Sequence, residues 1–61
     1  MENCIAEFLK KRKWNQRRLA KASGLDPAHI NKVIRNTADP RVGTALRIAK
    51  ALGTTVEELW K

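Results

Sequence analysis

The sequence predicts an all-α domain of five short helices, and three observations predict it. Apolar residues recur at helical spacing, as in Ile5, Phe8 and Leu9 or Ile30, Val33 and Ile34. The periodic segments are divided by stop and start residues, such as Gly24 before Asp26-Pro27 and Gly53 before Thr54-Thr55. No alternating apolar–polar run and no Asn-Gly turn stands anywhere in the chain, so nothing predicts a strand.

The first helix is expected from about Glu2 to Arg12, with Ile5, Phe8 and Leu9 buried and Cys4 bordering them. The basic run Lys10 to Lys13 closes it, which suits the negative end of a helix dipole, and is either a solvated face or a phosphate contact. Trp14 has the place of a hydrophobic staple before the second helix and is expected in the core. That helix starts at Asn15, whose side chain accepts from first-turn N–H groups, and carries Leu19 and Ala20 on its apolar side. Gly24 ends it in the left-handed conformation.

The third helix opens with Asp26 as cap and Pro27 at the first position, where no N–H is needed. Ile30, Val33 and Ile34 face inward, and Asn36 suits a left-handed C-terminal position. After Thr37-Ala38-Asp39-Pro40, with Pro40 opening it and Asp39 or Arg41 near its cap, the fourth helix shows a stripe of Val42, Ala45, Leu46, Ala49 and Leu52, widened by Ile48. Gly53 stops it. Thr55, followed three residues later by Glu58, has the capping-box spacing for a last helix from Val56 to Trp60, with Val56, Leu59 and Trp60 apolar.

Opposite the inward stripe of the third helix lie Ala28, Lys32 and Arg35, flanked by His29 and Asn31. Two helices joined through a glycine turn, the second exposing short polar and basic groups, describe a helix-turn-helix over residues 15–36. The string resembles the helix-turn-helix of the Xre family, which includes the lambdoid phage repressors and Cro proteins. That family opens the second helix with a polar residue and Gln, then has Leu-Ala, a turn Gly, Ile at the fourth position of the recognition helix and a terminal Asn or Gly. Asn15, Gln16, Leu19, Ala20, Gly24, Ile30 and Asn36 fit this order and spacing. The likeness extends to Pro40, Thr44, Leu46, Ile48-Ala49 and Ala51-Leu52-Gly53, and to Val56-Glu57-Glu58-Leu59-Trp60. It covers about the whole chain and implies one lambda-repressor-like DNA-binding domain over residues 1–61.

Two positions depart from the family pattern. Many members pair an Arg on the first helix, seven residues before the Gln, with a Glu near the end of the recognition helix. Leu9 and Ile34 stand there, so an ion pair is replaced as a unit by apolar groups, a change that spares the desolvation of two charges. Pro27 occupies a place where the lambdoid repressors often have a base-reading Gln, and proline has no donor to offer.

Charge points to the same partner. Thirteen basic residues against six acidic ones give +7 and a pI near 10.4, which favours nucleic acid first and an anionic membrane second. No apolar run approaches the ~20 residues of a membrane span, and MENCIAEF has an early Glu and no basic n-region of a signal peptide. The resemblance implies that Asn15 and Gln16 hold phosphate, helped by the dipole of the second helix. Ala28 suits a thymine methyl, His29 suits guanine N7 or a phosphate, Lys32 suits guanine O6 or N7, and Asn31, Arg35 and Arg41 suit phosphate. Arg17, Arg18, Arg47 and Lys50 are general electrostatics or solvated surface.

Enzyme activity has no support in the residues. His29 and Cys4 are alone of their kinds, with no zinc spacing, and no glycine-rich phosphate loop is present. No cofactor or metal is expected, and a lone thiol fits the cytoplasm. A domain of this size is marginal, burying only ~60% of its unfolded surface, so a partner subunit is a natural supplement. The reading is a cytoplasmic transcriptional regulator, expected to repress by binding a palindromic operator as a homodimer. Its rivals are an antitoxin or restriction–modification controller on the same domain, a protein-interaction module that has kept the fold, and non-specific nucleic-acid coating.

Overall fold

A computed structural model describes residues 3–36 and 41–60. Among them are five helices and no strand: α1 (Ile5–Arg12), α2 (Gln16–Ser23), α3 (Pro27–Ile34), α4 (Val42–Ala51) and α5 (Val56–Leu59). Helix α2 packs on α3 and α4, and α5 closes against α4. Thr37 to Pro40, with the expected opening at Pro40 and the Asp39 cap, lie outside the described residues.

The helix ends follow from local chemistry. Asn15 Oδ1 accepts from the Arg18 N–H at 2.8 Å, which makes Asn15 the cap and Gln16 the first helical residue. Gly24, at φ 73°, closes α2 and lets Leu25 N–H return to the Ala20 carbonyl at 3.0 Å. Two residues later Asp26 Oδ1 accepts from Ala28 N–H at 2.7 Å, and Pro27 occupies the first turn of α3. Asn36 takes the left-handed conformation at φ 59° beyond the end of α3. Thr55 Oγ1 accepts from Glu58 N–H at 3.2 Å and starts α5.

Helix α1 starts later than the expected Glu2. Asn3 Oδ1 accepts from Ile5 N–H at 3.1 Å, an Asx-type bond that begins the helix at Ile5 and leaves Cys4 before it. Cys4 instead donates its N–H to the Leu59 carbonyl at 2.7 Å, tying the start of α1 to the end of α5. At the other end, Lys13 turns left-handed (φ 58°) and Trp14 N–H bonds the Leu9 carbonyl at 2.9 Å.

The core joins all five helices: Ile5 and Leu9, Leu19 and Ala20, Ile30 and Val33, Ile48, Ala49 and Leu52, and Leu59. Phe8, Trp14, Ile34, Val56 and Trp60 are half-buried around it, so Trp60 seals the edge of this core. The α4 stripe is narrower than its sequence pattern. Ala45, Ile48, Ala49 and Leu52 are buried, but Val42 is 78% and Leu46 56% exposed. At ~100° per residue the buried arc centres between Ala45 and Leu52, which carries Val42 and Leu46 over its rim. Leu46 there borders an open groove of about 460 Å³ between α4 and α5, with Lys50, Val56 and Glu57 on its walls.

Candidate nucleic-acid interface

The interface is built on the rigid pairing of α2 with α3. Leu19 and Ala20 from α2 meet Ile30 and Val33 from α3 in the core, so the opposite sides of both helices face outward. The outward residues of α3 are Ala28 and Lys32, continued by Arg35 at its C-terminal cap, all exposed, with His29 half-buried at their margin. None carries a large apolar group, so this helix face is suited to water or a polar ligand rather than to another core.

The first turn of α2 lies beside this face. Asn31 Nδ2 on α3 donates to Gln16 Oε1 at 3.0 Å, and both residues are half-buried. This bond spans the two helices and uses the only side-chain acceptor of Gln16 and none of its donor hydrogens. Asn15 spends its acceptor on the Arg18 cap, leaving its amide N–H groups as the chemistry suited to an anion. Beside them Arg17, Arg18 and Lys21 rim an open groove of about 510 Å³ whose floor includes Ala20, Leu25 and Pro27. The Arg18 guanidinium lies over the Trp14 ring, 5.1 Å from its centroid, which holds this cation close to the helix start.

The structure thus brings Asn15, Gln16, Ala28, His29, Asn31, Lys32 and Arg35 onto the paired helices. Arg35 follows α3 as its C-terminal cap, exposed, and Arg41 stands apart as the exposed residue before α4, making no side-chain cap bond. Asn31 is half-buried and its amide is turned onto Gln16, unlike a solvent-facing phosphate contact.

Sequence reasoning missed Asn3. Its Nδ2 donates to the Val33 carbonyl at 3.0 Å and to Asn36 Oδ1 at 3.1 Å, while Oδ1 starts α1. One side chain therefore satisfies a C-terminal carbonyl of α3 and fixes that end of the helix against α1. The local signal was an Asn two residues before a helix start. Its partners lie about thirty residues away in the chain, where no spacing rule reaches.

Among the described residues no group of three or more His, Cys, Asp or Glu is placed to hold a metal ion, and no helix is long and apolar enough to cross a membrane. The helix-turn-helix family model matches residues 5–59, from the start of α1 to the end of α5. No curated protein matches the chain significantly.

Proposed function

The chain belongs to the Xre/lambda repressor-like helix-turn-helix family, and on that premise we propose that it reads a palindromic operator as a homodimer and represses transcription. The family is one of DNA-binding regulators. The observation that carries the finer reading is the exposed face of α3, small, polar and basic, held beside the first turn of α2 by the Gln16–Asn31 bond. In the major groove Ala28 meets a thymine methyl, and Lys32 and His29 donate to guanine edges. Asn15 and Gln16 grip phosphate at the α2 N-terminus, where the helix dipole favours an anion. Arg35 and Arg41 hold the backbone on either side. Pro27 offers no donor, so readout shifts away from the first position of α3 towards Lys32.

Two copies read a palindrome when their recognition helices lie one helical turn apart, ~34 Å. The surface that supports self-association is the exposed pair Val42 and Leu46 beside the α4–α5 groove. Lys50 of α4 and Glu57 of α5 both line that groove and give it both signs of charge, which a two-fold axis can pair crosswise. Repression follows by occlusion, the bound dimer covering DNA that polymerase needs in the cytoplasm. Selection of bound sequences from a random duplex pool tests the reading. A palindromic motif is expected. Retention without any enriched motif would indicate coating, and failure to retain duplex would favour a protein-interaction module.

A further inference from the structure

We propose that Asn31 is a positioning residue for the DNA contact of Gln16, acting through the amide it presents and not by a phosphate contact of its own; the inference rests on the DNA-binding reading above. A primary amide has one acceptor oxygen and two donor hydrogens, and a phosphate accepts only. Gln16 therefore holds a phosphate only when its nitrogen, not its oxygen, faces the DNA. Rotation of the terminal amide exchanges the two ends at little cost, so an isolated Gln side chain presents the wrong end much of the time. Asn31 holds one of the two orientations. Its Nδ2 donates to Gln16 Oε1 at 3.0 Å, which anchors the oxygen against α3 and directs the nitrogen away from it.

The anchoring is structural as well as chemical. Gln16 is the first residue of α2, immediately after the Asn15 cap, and Asn31 lies in the middle of α3, whose neighbours Ile30 and Val33 are almost fully buried. The bond thus runs from the packed part of the recognition helix to the terminal amide of a long side chain. It also couples phosphate grip to the seating of α3, since Gln16 is ordered only when the two helices keep their relative position.

The test is a double-mutant cycle on duplex affinity, using the operator obtained by selection and the full chain. Gln16→Ala is expected to weaken binding about tenfold or more, the scale of a hydrogen bond to a charged group. Asn31→Ala should lose part of that, several-fold, for specific and non-specific duplex alike, with the motif unchanged. In a Gln16→Ala background Asn31→Ala should cost nothing further. Asn31→Asp supplies the readout that a simple packing role would not move. A carboxylate only accepts, so it turns the Gln16 amide round to donate inward and present oxygen to the phosphate. Asn31→Asp should therefore bind worse than Asn31→Ala, and the gap should shrink once Gln16 is Ala, leaving only the added charge.

Equal losses from Asn31→Ala in both backgrounds would overturn the proposal and make Asn31 an independent contact. So would an Asn31→Asp gap of the same size with and without Gln16, or wild-type affinity in Gln16→Ala. Thermal midpoints of the variants separate these outcomes from unfolding. If wild type itself selects no duplex, the DNA-binding reading fails, a result distinct from additive losses in a protein that binds.

Discussion

Replacing Leu9 by Ala removes most of a side chain that is 5% exposed and lies in one cluster with Ile5, Leu19 and Val33. Buried Leu→Ala changes cost about 2–5 kcal/mol, the value rising with the cavity that remains. Helix α1 cannot readily slide to close that cavity. Its start is tied to α5 by the Cys4–Leu59 bond and to α3 through Asn3, and its end is fixed by Trp14 N–H on the Leu9 carbonyl. The loss should fall in the upper half of the range, about 3.5–5 kcal/mol. A chain of 61 residues has about 3–9 kcal/mol in all at ~0.05–0.15 kcal/mol per residue, so the variant would keep little stability. At about 4–8 °C per kcal/mol, the melting midpoint drops by more than ~10 °C. Urea unfolding followed by helical circular dichroism and by Trp14 and Trp60 fluorescence measures it, with an unchanged slope expected if unfolding stays two-state. A midpoint equal to wild type would refute the packing argument for α1.

Three further outcomes are expected. Leu9→Arg alone should unfold the domain, because a buried unpaired charge costs about 3–5 kcal/mol, and adding Ile34→Glu should recover part of that; equal stability of the single and double variants would show that positions 9 and 34 do not meet. Leu46→Glu should leave the unfolding free energy within about 0.5 kcal/mol of wild type, as the side chain is 56% exposed, while shifting sedimentation towards the monomer and weakening operator binding; unaltered self-association would move the interface elsewhere. Arg41→Ala should reduce the slope of log affinity against log salt by ~1 per protomer, whereas Gln16→Ala should weaken binding with the slope nearly intact, because only a cation releases counterions. Identical slopes for Arg41→Ala and wild type would take Arg41 off the phosphates.

Most of the fold was legible because its signals are local. Asn15, Gly24, Asp26-Pro27, Asn36 and Thr55 each fix a helix end through atoms within a few residues of themselves. The inward stripe of α3 was legible for the same reason, and with it the outward set Ala28, Lys32 and Arg35. What the pattern could not convey was how far each helix is covered. Val42 and Leu46 fit the period of α4, yet among the described residues no helix covers that rim, and they are exposed. The start of α1 depended on an Asn3 side chain whose other bonds reach Val33 and Asn36. The Gln16–Asn31 bond likewise depends on how two helices are set against one another, a tertiary fact without a sequence period.

The most direct measurement of the central claim is parallel binding-site selection on wild type and Lys32→Ala. Lys32 is exposed on the face of α3 opposite the buried Ile30 and Val33. A lost base contact costs about 1–3 kcal/mol and relaxes preference at one position, whereas a lost phosphate contact weakens every sequence alike. Wild type is predicted to select a palindrome with half-sites about one helical turn apart. Lys32→Ala is predicted to keep that palindrome and lose preference at one symmetric pair of positions, a G·C pair. An identical motif from both proteins would contradict the claim that the face of α3 reads bases through Lys32.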